Sequence, residues 1–177
     1  MLAADLSLYV DHYRAAERTF SLLTQVVGRA GRGGKTGRAV IQTYTPGNDV
    51  IRCAAAQDYE SFYRSEIRMR QLRRYPPFAD LFTITVSGTE EGSVLRAAAA
   101  LREKLRQAVH QLPGEPEVLG PAPAPVLKVN NRYRYRILLV GTNDKTTREC
   151  VSWLLKDFAN DRANRGLNIF ADCNTME

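Results

Sequence analysis

The sequence predicts an α+β protein whose larger part follows the order β-α-β-β-α-β, a four-stranded sheet with two helices on one face. Three observations carry this. Short segments alternate apolar and polar residues with period two, long segments between them place apolar residues on a helical stripe, and Pro, Gly and Asn clusters mark the boundaries.

Taken in chain order, residues 1–13 set Leu6, Leu8 and Val10 in alternation, as in a strand or the loop leaving one. Residues 15–27 carry Phe20, Leu23, Val26 and Val27 at helical spacing and run into Gly28-Arg29-Ala30-Gly31-Arg32-Gly33-Gly34, a glycine-rich loop bearing arginines. The β-branched stretch 38–44 reads as a buried strand closed by Pro46-Gly47-Asn48. A helix and a strand bury too little apolar surface to stand alone, so this unit is expected to come from something larger. Residues 50–74 read as one long connecting helix, with Ile51, Ala55, Phe62 and Met69 on one side, stopped by Pro76-Pro77.

Beyond the prolines, residues 81–87 set Phe82, Ile84 and Val86 against Thr83, Thr85 and Ser87, a half-buried strand. A helix over 91–112 follows, with Val94, Ala98, Leu101, Leu105, Ala108 and Leu112 on one stripe, ended by Pro113-Gly114. A short strand at 117–119 precedes the alternating prolines of 120–125, which are expected to be polyproline-like. A strand at 133–140, a helix over 145–164 with Val151, Leu154, Leu155 and Phe158 inward, and a strand at 167–172 complete the order. The expected boundaries are 1–48, 49–75 for the connector, and 76–177 for the sheet domain, whose uncovered face is left for a partner.

The 177 residues hold 25 Lys+Arg and 19 Asp+Glu, and 44% hydrophobic residues, which excludes a disordered or fibrous chain. No apolar run is long enough to span a membrane and no secretory leader opens the sequence, so a cytoplasmic protein without a membrane partner is expected. Cys53, Cys150 and Cys173 are far apart and form no CxxC pair, and His12 and His110 are isolated. Neither a disulfide framework nor a metal site is expected from them.

The positive charge is clustered. Residues 14–38 hold six bases against Glu17, residues 64–74 five against Glu66, and residues 126–137 hold Lys128, Arg132, Arg134 and Arg136 with no acid. Arginine forks onto phosphate oxygens, and three such clusters in one chain point to nucleic acid.

Gly34-Lys35-Thr36 ends like a phosphate-binding P-loop, but Arg29 stands where the motif needs glycine and a helix precedes it where a strand is required. Nucleotide cradling by this loop is therefore rejected. The overlapping Gln25-Val26-Val27-Gly28-Arg29-Ala30-Gly31-Arg32-Gly33 reads differently. At a helix end, small residues can bring two guanidinium groups to a phosphate held by another domain, where they stabilise charge on a transferred phosphoryl group.

This stretch closely resembles motif VI of superfamily-two helicases. With Asp11-His12-Tyr13-Arg14-Ala15-Ala16-Glu17-Arg18-Thr19-Phe20, Asp58-Tyr59-Glu60-Ser61-Phe62-Tyr63, Tyr75-Pro76-Pro77-Phe78, Leu119-Gly120-Pro121-Ala122-Pro123 and Asn131-Arg132-Tyr133-Arg134-Tyr135-Arg136, the chain is similar to the primosomal replication-restart helicases over nearly its whole length. The resemblance implies a 3′-to-5′ DNA helicase that recognises forked and single-stranded DNA and meets replication-restart proteins and single-strand DNA-binding protein. Residues 1–48 would then be the end of the second RecA-like lobe. It implies that Arg29 and Arg32 act on ATP, with Gln25, Gly28 and Gly31 shaping the contact. ATP with Mg belongs to the whole enzyme. The Walker A motif, the DEAH-type box and the family's zinc-binding cysteine pairs are absent from these 177 residues, so the chain alone is expected not to hydrolyse ATP.

In the strand Arg132-Tyr133-Arg134-Tyr135-Arg136, alternation sends the arginines to one face and the tyrosines to the other. The arginines, with Lys128, are candidates to track phosphates. Either tyrosine, Tyr133 or Tyr135, is a candidate to stack on a base, or else both are core residues under the helices. A non-enzymatic nucleic-acid or protein-binding module on a split βαβ fold remains the alternative.

Overall fold

A computed structural model describes residues 4–30, 38–114 and 116–175. The chain divides into two compact units between Arg73 and Arg74.

The first unit is helical. A 3-10 helix, Ala4–Tyr9, precedes α1 (Ala15–Arg29), α2 (Asp49–Ala56) and α3 (Tyr59–Leu72). Its core joins Ala4, Phe20, Leu23, Ile51, Ala54 and Phe62, with the Phe20 and Phe62 rings stacked at 4.1 Å. Arg70 ties α3 to α1: its Nε donates to Glu66 and its Nη2 to Glu17, both at 2.8 Å. Burial works against the Arg70 charge, but the two carboxylates outweigh it and raise the guanidinium pKa. Two members of the 64–74 basic cluster are thus engaged within the unit, since Arg64 also meets Glu60 at 3.1 Å.

Three expectations for this unit need correction. The long helix over 50–74 is two helices, and they belong to the core rather than merely connecting. Gln57 takes a left-handed conformation (φ 54°), and the Asp58 carboxylate accepts the Ser61 amide at 3.0 Å, an N-cap that starts α3 afresh. Residues 38–44 form no strand. Among the described residues this unit holds no neighbouring strand to complete a ladder. The Gln42 carbonyl instead accepts the Ala4 amide at 3.0 Å, and the Tyr44 amide reaches the Asp5 carboxylate at 2.7 Å. The Leu6, Leu8, Val10 alternation marks no buried strand face either: Leu6 and Val10 are exposed on and after the 3-10 turn, and only Leu8 packs against the core.

The second unit bears out the α+β expectation. It comprises β1 (Asp80–Gly88), α4 (Glu91–Val109), β2 (Glu117–Val129), β3 (Arg132–Gly141), α5 (Lys145–Asn160), a short 3-10 turn at Arg162–Asn164, and β4 (Asn168–Cys173). The sheet order is β2-β3-β1-β4 with every neighbouring pair antiparallel. β1 and β2 are therefore parallel but separated by β3, as a split βαβ requires. Phe82, Ile84 and Val86 of β1, Tyr135, Ile137 and Leu139 of β3, and Val94, Leu101, Leu105, Val151, Leu154 and Phe158 of α4 and α5 form one core on the helix side.

The alternation in β1 suggests half burial, yet Thr83, Thr85 and Ser87 are also buried: β1 is a central strand between β3 and β4, and the Thr83 hydroxyl donates to the Thr175 carbonyl at 3.2 Å. β2 departs furthest from expectation. In place of three residues and a polyproline segment, it is one strand of 13 residues, with register breaks between Leu119 and Ala122 and between Pro123 and Lys128. Its edge position permits this, since a proline that donates no ladder hydrogen bond is tolerated where no further strand pairs. No helix among the described residues is long and apolar enough to cross a membrane.

Candidate nucleic-acid interface

The register of β3 against β1 decides where the arginine-rich strand points. Arg136 pairs with Thr85 and Arg134 with Ser87, so these arginines and Arg132 share the sheet face opposite the helices. Tyr135 faces the helices and is buried, and its hydroxyl donates to Glu91 Oε1 at 2.8 Å at the start of α4. That bond to a carboxylate, followed by desolvation, pushes the phenol pKa up. Tyr135 is a core residue that anchors α4 to the sheet.

The candidate set is divided by the sheet. Lys128 pairs with Tyr133 across β2 and β3, on the helix side, with its Nζ 4.6 Å from the Tyr133 ring centroid. Tyr133 packs partly against the core, on the face opposite the arginines as the alternation predicts, so a base stacked on it could not also lie on their face. The three arginines differ as well. Arg132 Nη2 donates to the main-chain carbonyls of Ser87 at 3.0 Å and Gly166 at 3.2 Å, so it braces β3 against β1 and the turn before β4. Arg136 is half-buried beside Thr85, and Arg134 is half-buried along the same face.

One residue of this face escaped the sequence reading. In β4, Ile169, Ala171 and Cys173 pack inward, leaving Asn168, Phe170 and Asp172 on the open side. Phe170 is 41% exposed and pairs with Thr85, on the strand flanking β1 opposite β3. The signal was present as an aromatic in the polar phase of an alternating strand.

In the first unit, α1 runs through Gly28 to Arg29, so Gly28 lies in the last helical turn rather than in the loop expected of it. Arg29 and Gln25 are exposed, one turn apart, and Gln25 also lines a cleft of about 450 Å³ between α1 and α3, with Phe20, Tyr59, Phe62 and Tyr63. Gly31 and Arg32 lie outside the described residues. Among the described residues no group of His, Cys, Asp and Glu could hold a metal ion. Cys53 is half-buried, and desolvation, with Asp58 and Asp49 nearby, raises its thiol pKa.

Comparison with known proteins agrees with the motif reading. Residues 71–174 match the family described as primosomal protein N C-terminal domain. A protein named replication restart protein PriA from Synechocystis is 42% identical over 142 residues, covering 78% of this chain and 16% of the relative. Proteins of the same name from Bacillus subtilis and Treponema pallidum are 34% and 35% identical over 98% and 96% of this chain, which covers 21% and 25% of their lengths. The chain thus spans a quarter or less of these relatives. With more than half of its residues matched by the family and its similarity extending through the arginine-bearing helix end, the chain belongs to the PriA family.

Proposed function

We propose that this chain is part of an ATP-dependent 3′-to-5′ DNA helicase of replication restart. Residues 76–177 bind forked or single-stranded DNA through the open sheet face, and residues 1–48 present Arg29 and Arg32 to ATP held elsewhere in the enzyme. Residues 49–75 link the two, in a cytoplasmic protein that meets replication-restart proteins and single-strand DNA-binding protein. The observation carrying the DNA reading is the gathering of Arg132, Arg134 and Arg136 on the sheet face opposite α4 and α5. Such a face neutralises phosphates, and neutralisation makes affinity fall with salt. The ATP reading rests on the PriA-family similarity and on Arg29 standing exposed at the end of α1.

The test is fluorescence anisotropy of the 177-residue chain with labelled forked DNA over a salt series. Tight binding at low salt is expected. Replacement of Arg134 and Arg136 by Ala should weaken it and flatten the salt slope by about 0.7 to 0.9 for each phosphate that is no longer neutralised. Absence of binding at low salt would overturn the DNA assignment, and an unchanged slope in the double variant would move the site off this face. In an enzyme of the relatives' length, Arg29→Ala should lower ATP turnover by about a thousandfold or more. Unchanged turnover would remove the arginine-finger role.

A further inference from the structure

We infer that Phe170 is a base-stacking platform, so that the open sheet face prefers unpaired DNA bases over duplex. The inference rests on the DNA-binding reading of this face and adds its substrate class. Thr85 pairs with Arg136 on one side and Phe170 on the other, which puts the three in one row across β3, β1 and β4. Two inter-strand spacings, about 10 Å, separate the guanidinium-bearing strand from the ring-bearing one. The next row is Arg134, Ser87 and Asn168, and the row on the other side is Leu138, Thr83 and Asp172.

This arrangement has a direction. Asp172 repels a phosphate backbone from one side of the Phe170 ring, while Arg134 and Arg136 attract it to β3. Thr85 and Ser87, between the arginines and the ring, are short and buried. A single strand whose backbone follows the arginines can turn a base over β1 onto the ring. Phe170 is not part of the core and is 41% exposed, so a flat partner can cover apolar surface that the fold leaves in water. A base inside a duplex has both faces already stacked and cannot take this place.

The test compares a labelled oligo-dT single strand with a labelled duplex of equal length, both bound to the full chain. Phe170→Ala and Phe170→Leu should weaken single-strand binding about tenfold while leaving duplex affinity and both salt slopes unchanged. Phe170→Tyr should retain the wild-type preference. In a Trp153→Phe background, Phe170→Trp places the chain's sole indole on this face, and its emission should be quenched by the oligo-dT and not by the duplex. Equal losses on both DNAs, no loss on either, or unquenched emission would overturn the stacking role. If the Arg134 and Arg136 replacements still weakened binding in that case, the DNA-binding reading would survive. No binding of either DNA by the wild-type chain would remove both.

Discussion

Arg132 Nη2 stands 3.0 Å from the main-chain carbonyl of Ser87, so a residue picked out for phosphate contact is also a brace between β3 and β1. The same nitrogen reaches the Gly166 carbonyl at 3.2 Å. Hydrogen bonds from a charged donor contribute more than neutral ones, and Arg132 makes two of them. Arg132→Ala should therefore destabilise the sheet unit by about 1–3 kcal/mol. Arg134→Ala, on the same face but without that double bond to main-chain carbonyls, should stay within about 0.5 kcal/mol of wild type. Urea unfolding followed by Trp153 emission separates the two, and equal effects would refute the distinction.

Gly120 on β2 has φ +97°, and a Cβ placed there would sit 2.8 Å from the Arg136 carbonyl oxygen. Main-chain atoms of the neighbouring strand cannot swing aside as a flexible side chain could. Gly120→Ala should cost about 1–3 kcal/mol from backbone strain, before the clash is counted. A thermal midpoint unchanged from wild type would show that the edge strand relocates freely.

Leu105 is fully buried on α4, within the core shared by the sheet and both helices. Truncation to alanine removes transfer free energy and leaves a void that the packed layers fill only in part. The expected loss is about 2–5 kcal/mol, read as a lower urea midpoint with an unchanged slope. A loss below about 1 kcal/mol would mean that α4 collapses onto the sheet without a cavity.

Asp5 lies at the junction of the 3-10 turn and residues 43–44. A hydrogen bond from the Thr43 side chain, with the Tyr44 amide adding to it, holds its carboxyl below the ordinary value of 3.8 despite burial. Because the folded pKa is lowered, Asp5 stabilises the helical unit above the unfolded value, and this contribution disappears as pH falls through the folded one. The difference in thermal midpoint between wild type and Asp5→Asn should accordingly be largest near neutrality and shrink in acid. A difference independent of pH would show that the carboxylate charge is not what matters.

Much of the sheet unit was legible because its signals are local. Alternation in residues 81–87 and 133–140, apolar stripes in α4 and α5, and Pro-Gly stops each act within a few residues, and together they leave few topologies open. The glycine-arginine run at 28–33 was legible as a motif for the same reason. Elements that depend on a distant partner were read less well. Residues 38–44 have the composition of a strand but no ladder beside them, and the prolines of β2 conceal a strand that edge pairing with β3 sustains.

The sequence by itself determined the order of elements, the period-two separation of Arg132, Arg134 and Arg136 from Tyr133 and Tyr135, and membership of the PriA family. Only the tertiary structure decided which face of the sheet the helices cover, that Arg132 spends hydrogen bonds on Ser87 and Gly166, and that Phe170 shares a row with Arg136. The physical reason is range: side-chain alternation is a property of one strand, whereas neighbours across a sheet are set by inter-strand register between segments dozens of residues apart.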